Sequence, residues 1–253
     1  MNMTPQAFRS LLFDTFRAND AALSDYCTDE IGERFYLLTE TMLAVNEHMN
    51  LTAITEPEEI IVKHYTDCAL LAPLVPHGAM TADIGTGAGF PSLPLAILRP
   101  DVRILAVDST EKKCRYVEET AKKLGLLNLE VRAGRAEMLG KDAAFREQFD
   151  VVTARAVARM NVLCEWCLPL VKKGGVFAAM KGRSGEEELR EAAHAIEVLG
   201  GAAGELQKRV LRYAEKTGND EEMTRYFLTV GKRQFSPKIY PRPNSQITKK
   251  PLS

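Results

Sequence analysis

The chain has 253 residues, 45% hydrophobic and 26% charged, with a formal net charge of −1. This composition supports a sizeable core and excludes global disorder, and no apolar run reaches the roughly 18–20 residues of a membrane span. The opening MNMTPQAFRS has neither the basic start nor the apolar stretch of a secretory signal. Five scattered cysteines, Cys27, Cys68, Cys114, Cys164 and Cys167, fit reduced thiols, so a cytoplasmic protein is expected.

The first fifty residues read as helical. Phe8, Leu11, Leu12, Thr15 and Phe16 make one apolar-leaning stripe, and Phe35, Leu38, Met42, Val45 and Met49 a second at helical spacing. Another helical stretch lies between residues 57 and 75. Runs of strand length then alternate with amphipathic helices, the pattern of a parallel sheet wrapped by helices. The strands are MTADIG (80–85), VRILAVD (102–108), LEVRAG (129–134), FDVVTARA (149–156) and GGVFAAMKG (174–182). After the second, Ser109 or Thr110 caps a helix that buries Cys114, Val117, Ala121 and Leu124 and stops at Gly125. A charged helix is expected from about Gly185 to Leu199. QKRVLRYAE (207–215) and RYFLTVGK (225–232), joined by the polar Lys216–Thr224, read as an antiparallel hairpin. The tail beyond Gly231, with Pro237, Pro241, Pro243 and Pro251, is expected to be extended rather than helical.

Charge is unevenly spread. Residues 1–60 set Arg9, Arg17 and Arg34 against eleven acids, a balance of −8, which leaves +7 on the remainder. Residues 231–253 hold Lys232, Arg233, Lys238, Arg242, Lys249 and Lys250 with no acid, six uncompensated cations compatible with a polyanionic partner.

The sharpest motif is DIGTGAGFP, Asp83 to Pro91, between a strand and a helix. Gly85, Gly87 and Gly89 permit a tight turn and close approach of a ligand to the backbone. Nineteen residues after Gly89 the second strand ends at Asp108, whose carboxylate can accept both hydroxyl hydrogens of a ribose. Together these make a nucleoside-cofactor site. The dinucleotide pattern G-x-G-x-x-G/A fails, because Phe90 or Ser92 stands at its last position, and no G-x-x-x-x-G-K-S/T run exists. The spacing G-x-G-x-G resembles the first motif of class I S-adenosylmethionine-dependent methyltransferases. After the third strand, Gly134, Arg135, Ala136 and Glu137 can flank an adenine. The fourth and fifth strands end at Arg155 and Lys181, two cations suited to an anionic substrate or to the carboxylate of a methionine.

Beyond this motif the chain resembles the ribosomal RNA small subunit methyltransferase G family, also called glucose-inhibited division protein B. The matching stretches are NEHMNLTAI (46–54), KHYTD (63–67), DIGTGAGFP (83–91), AVDSTEKKCRYVE (106–118), GRAE (134–137), FDVVTARAVA (149–158), MKG (180–182) and KIYPRP (238–243). The resemblance implies a class I Rossmann-like fold with a doubly wound seven-stranded sheet. Residues 1–60 would form an N-terminal helical extension, 61–235 the methyltransferase domain and 236–253 a basic proline-rich tail. It also implies S-adenosylmethionine as cofactor and methylation of the N7 of one guanine in a decoding-region loop of 16S rRNA, as naked rRNA or small-subunit particle. A monomer with no membrane association is expected. Cofactor binding is carried over onto Gly85, Phe90, Ala136, Glu137 and Arg155. Asn50, Arg155 and Lys181 are candidates for positioning the substrate, although Asn50 equally reads as a helix C-cap. Ser92 departs from the family, which has glycine there.

Guanine N7 carries an in-plane lone pair, so no general base is required for its methylation, only proximity and alignment. Amino-methylating enzymes carry N/D-P-P-Y/F where this chain reads TARA, and cytosine-C5 enzymes need a nucleophilic cysteine, usually after proline, whereas no Pro-Cys pair occurs. The alternatives are a non-catalytic rRNA-binding or assembly protein on the same scaffold, and a small-molecule methyltransferase. Cys164-Glu-Trp-Cys167 reads as buried thiols rather than a redox or metal motif, and no metal site is proposed. His64 and Asp67 are expected to form a polar network orienting the N-terminal helices, while His48 and His194 read as surface residues.

Overall fold

The computed structural model describes residues 3–214 and 223–252. Two long helices open the chain, α1 (Pro5–Asn19) and α2 (Asp29–Met49). Each starts where a threonine hydroxyl takes an otherwise unpaired amide: Thr4 Oγ1 accepts Ala7 N–H, and Thr28 Oγ1 accepts Ile31 N–H. Asn50 ends α2 in the left-handed conformation, φ 47°. The two helical stripes meet, Phe16 edge-on to Phe35 at 6.0 Å and Phe35 against Tyr65 at 4.7 Å. These rings share one apolar core with Leu93, Leu95 and Ile97 of the helix Ser92–Leu98. The N-terminal helices therefore cover one face of the sheet.

Three consecutive helical stretches, Pro57–Ile60, Ile61–Thr66 and Asp67–Ala69, follow. The middle one is a widened π turn, in which Thr66 Oγ1 donates to Ile61 O at 2.8 Å. The run passes through residue 60 without a break, so that position falls inside a helix.

Seven strands form one sheet in the order β3-β2-β1-β4-β5-β7-β6. They are β1 (Met80–Ile84), β2 (Arg103–Asp108), β3 (Leu129–Ala133), β4 (Phe149–Arg155), β5 (Val171–Lys181), β6 (Gly201–Val210) and β7 (Thr224–Lys232). Strands β1 to β5 pair in parallel, and β7 runs antiparallel to both β5 and β6. This is the doubly wound class I architecture. The order reverses between β1 and β4, which opens a crevice at their carboxyl ends. Asp83 lies opposite Ala106 and Thr153, so Arg155 at the end of β4 comes level with Gly85. A second core, with Ala154, Leu163, Cys164, Cys167, Phe177 and Leu228, fills the opposite face. Both cysteines of the C-x-x-C stretch are buried and free.

Three expectations need correction. The charged helix breaks at Ala192 into Gly185–Glu191 and Ala193–Val198. Strand β6 starts at Gly201, six residues before the expected start, because pairing with β7 draws in the small residues of GAAG despite their weak strand preference. The tail is not extended throughout: Asn244–Lys249 is helical, entered through Pro243 with its fixed φ of −55°. Residues 216–222 of the expected hairpin connector lie outside the described residues.

Two of the six tail cations, Lys232 and Arg242, are paired with acids of the body. Lys232 is 1% exposed and donates to Leu168 O, Leu199 O and Ser236 Oγ, with Glu147 at 3.5 Å. Burial lowers its pKa to about 8. Arg242 forms a two-nitrogen pair with the fully buried Glu165. Arg146 gathers Ser236 O at 2.7 Å and Tyr240 O at 2.8 Å, so the segment after β7 is stitched to the body. Among the described residues, no helix is long and apolar enough to cross a membrane.

Candidate functional site

The carboxyl ends of β1, β2, β3 and β4 surround a cleft of about 590 Å³, within the usual range for small-molecule sites. One wall is the loop after β1. Gly85 stands at φ +76°, and a Cβ there would lie 2.7 Å from Val157 Cγ2. Gly87, at φ +58°, would bring a Cβ no closer than 3.9 Å to Gly85 O, and it donates its N–H to Asp108 Oδ2 at 3.0 Å. Asp108 Oδ1 accepts Thr110 N–H at 2.9 Å. Two backbone donors thus fix this carboxylate and leave each oxygen a free lone pair toward the cleft. Gly134, Arg135, Ala136 and Glu137 line the side after β3, and Trp166 and Asn244 close the wall beyond.

Asp83 and Ser92 lie beneath the loop. Ser92, 0% exposed, donates its hydroxyl to Asp83 and sits 2.6 Å from the hydroxyl of Thr86. Burial pushes the Asp83 carboxyl up to about 6. The serine that departs from the family therefore supports the glycine loop from below and does not line the cleft.

Arg155 is the centre of the opposite wall. Nη1 donates to Asp67 Oδ2 at 3.1 Å and to Lys63 O at 3.3 Å, Nη2 reaches His64 Nδ1 at 3.2 Å, and the guanidinium lies 5.2 Å from the centre of the Phe90 ring. His64 stacks on the Phe90 ring at 4.6 Å, with Nε2 2.9 Å from Thr52 Oγ1. His64 and Asp67 are joined through Arg155, and Thr52 links His64 to the segment after α2. The π turn at Ile61–Thr66 carries His64, and Asp67 caps it. Burial, then the Arg155 charge, pushes the His64 pKa down from 6.5 to about 3. Between these values the unfolded chain binds a proton that the native state does not. His64 therefore makes stability fall as pH drops from 6.5 toward 3, by up to about 1.4 kcal/mol per pH unit. Asp83, raised above its unfolded value, acts with the opposite sign between 3.8 and about 6. His64→Gln should flatten the acid side of a plot of melting temperature against pH. An unchanged acid slope would contradict the burial of a neutral imidazole.

Two candidates stand apart from the cleft. Lys181 Nζ donates to Ala158 O and pairs with Glu188 at 2.6 Å, while Glu188 also accepts Met160 N–H at 2.9 Å. Its side chain secures the loop after β4, the loop that lays Val157 over Gly85. Asn50 is exposed and caps α2. The cleft is reached instead by its neighbour Leu51, in a turn shaped by Asn46, whose Oδ1 accepts Leu51 N–H at 2.7 Å and Thr52 N–H at 2.9 Å. Of the other candidates, Gly85, Gly87, Phe90, Asp108, Ala136, Glu137 and Arg155 all line the cleft, and Gly89 lies one residue behind it. A Cβ on Gly89 would strike Leu93. Sequence reasoning did not single out Leu51 and Val157, which lie inside the matching stretches 46–54 and 149–158, or Trp166 and Asn244, which lie outside all of them.

Residues 32–212 match a family model described as rRNA small subunit methyltransferase G. The chain belongs to that family. A protein named ribosomal RNA small subunit methyltransferase G from Ligilactobacillus salivarius is 41% identical over 255 residues, covering 99% of this chain and all of that one. Proteins of the same name from Oceanobacillus iheyensis, at 45% identity, and Lactobacillus acidophilus, at 42%, cover 87% and 89% of this chain and 90% and 92% of their own lengths. The fold is shared more widely. An S-adenosylmethionine-dependent O-methyltransferase from Thermotoga maritima superposes with a TM-score of 0.52 at 17% identity, covering 78% of this chain and 72% of that one. A methyltransferase from Aquifex aeolicus gives 0.51 at 18% identity, covering 76% and 97%. The family model stops at residue 212, before the tail segment that brings Asn244 to the cleft.

Proposed function

We propose that this protein transfers a methyl group from S-adenosylmethionine to the N7 of one guanine in 16S rRNA of the small ribosomal subunit. On this reading it acts as a cytoplasmic monomer. The observation that carries the proposal is family membership over most of the chain, joined to a cleft whose fixed groups suit that cofactor. Gly87 leaves its backbone open to a ligand, and Asp108 keeps acceptor lone pairs for ribose hydroxyls. Ala136 and Glu137 would flank the adenine, while Arg155 supplies a fixed positive charge for a carboxylate. Gly85 and Phe90 shape the floor between them.

When bound, S-adenosylmethionine supplies a methyl group on a positively charged sulfur. The protein's task is to bring a nucleophile into line with it and exclude water. The side chains of the cleft fit an acceptor that needs no deprotonation. His64, the imidazole nearest Phe90 and Arg155, has both ring nitrogens engaged and is held neutral by burial. Asp108 is engaged by two backbone amides. Guanine N7, with its lone pair exposed on the Hoogsteen edge where a base is unpaired or splayed out, meets that requirement.

A synthetic rRNA fragment carrying 7-deazaguanosine in place of guanosine tests the acceptor atom. It should take up no label from methyl-labelled S-adenosylmethionine, whereas the unmodified fragment takes up about one methyl per molecule. Equal labelling of both RNAs would exclude N7.

A further inference from the structure

The segment between β7 and the helix Asn244–Lys249 is held to the body by its backbone and turns large side chains outward. Ser236 N–H donates to Glu147 Oε1 at 2.7 Å, and Ser236 Oγ donates to Leu199 O at 2.8 Å. Arg146 takes the carbonyls of Ser236 and Tyr240, while Lys141 Nζ donates to Lys238 O at 2.7 Å and Ile239 O at 3.0 Å. The side chains of Phe235, Lys238 and Ile239 do none of this holding. Phe235 is 65% exposed and Ile239 69%, and Lys238 is exposed with no partner for its ammonium among the described residues. A lone exposed apolar residue is ordinary, but two flanking a free cation on a backbone pinned this thoroughly make a prepared surface.

The position of this surface ties it to the cleft. Glu147 and Leu199 stand just before β4 and β6, so Ser236 lies at the amino ends of the parallel strands. Asn244 lines the cleft at their carboxyl ends, and the tail therefore climbs the height of the sheet. Beside it runs the connection from β3 to β4, where a Cβ on Gly140 would lie 2.8 Å from Pro241. Met138, 65% exposed, stands between Gly140 and the cleft residues Ala136 and Glu137. Met138, Lys141, Ile239, Lys238 and Phe235 are thus linked by sequence and contact into one strip leading away from the cleft rim. Residues 231–253 contain no acid, and the exposed acid beside Lys141, Asp142, accepts Ala144 N–H at 2.9 Å.

We propose that this strip is an RNA-binding surface outside the cleft, which grips rRNA beyond the nucleotide that is methylated. The inference rests on the rRNA reading above. Lys141 and Lys238 meet phosphates, and the ring of Phe235 offers a stacking platform to an unpaired base. Charge decides the kind of partner: cations interleaved with exposed apolar side chains, on a tail without acids, complement a single-stranded polyanion.

The test uses the full chain, deproteinised 16S rRNA and two variants, Phe235→Ala and Lys238→Ala, whose side chains hold nothing in the fold. Both should keep the wild-type melting temperature and the wild-type affinity for S-adenosylmethionine. Phe235→Ala should weaken equilibrium binding of labelled rRNA about tenfold with an unchanged salt slope, and raise KM for rRNA while kcat holds. Lys238→Ala should weaken binding several-fold at low salt and flatten the slope of log affinity against log salt by about one. Wild-type rRNA affinity in both variants would overturn the proposal and leave the strip to a protein partner. Wild-type protein that binds no rRNA would overturn it as well. The methylation reading fails separately: binding that the variants weaken, without any methyl transfer by the wild type, would sink that reading and keep the surface.

Discussion

Gly85→Asp is expected to lower the affinity for S-adenosylmethionine by about a hundredfold or more while far-ultraviolet circular dichroism stays unchanged. Two effects combine. The residue stands at φ +76°, and the new Cβ would press on Val157 2.7 Å away, so the loop over the cleft must shift. The carboxylate would also occupy the close approach between backbone and ligand, beside the carboxylate of Asp108. A hundredfold loss corresponds to about 2.7 kcal/mol, within reach of one misplaced loop and one unfavourable charge. Unchanged affinity by calorimetry would move the cofactor away from the glycine loop.

Arg155→Ala should have two separable consequences. Methyl transfer to rRNA at limiting cofactor should fall by about a hundredfold or more, as expected when the charge that holds and aligns the cofactor's carboxylate is removed. Stability should also fall, by about 3 kcal/mol, because Asp67, only 4% exposed, loses its closest cationic partner. Arg225 remains 3.8 Å from the other Asp67 oxygen and limits the damage. The double variant Arg155→Ala/Asp67→Asn distinguishes the two effects. It should regain much of the melting temperature and none of the turnover. Full turnover in Arg155→Ala would make the arginine a structural anchor for His64 and Asp67 alone.

What was legible in the sequence is what short-range pattern controls. The glycine loop, its flanking strand and helix, and Asp108 at the end of the next strand are fixed by local spacing, and all meet in one cleft. The strand succession could be read because each parallel strand is a compact apolar run between turn signals. Side-chain direction at strand ends could not be read this way. Arg155 and Lys181 end neighbouring strands, yet one faces the cleft and the other turns to Ala158 and Glu188. The proline-rich tail gave a misleading signal for a similar reason. Its prolines do exclude regular structure up to Pro243, but Lys232 and Arg242 are committed to Leu168, Leu199 and Glu165, contacts set by tertiary packing that no linear count of charge reveals. Trp166 and Asn244 illustrate the same limit, since only the fold brings them to the cleft.

The most direct test of the central claim is to incubate the protein with methyl-labelled S-adenosylmethionine and 16S rRNA, deproteinised or within the small-subunit particle. The label is then located by nuclease digestion and mass spectrometry. The account predicts a single 7-methylguanosine in one loop. Measurable cofactor binding with no methyl on the RNA, or with the methyl on another atom, would contradict it.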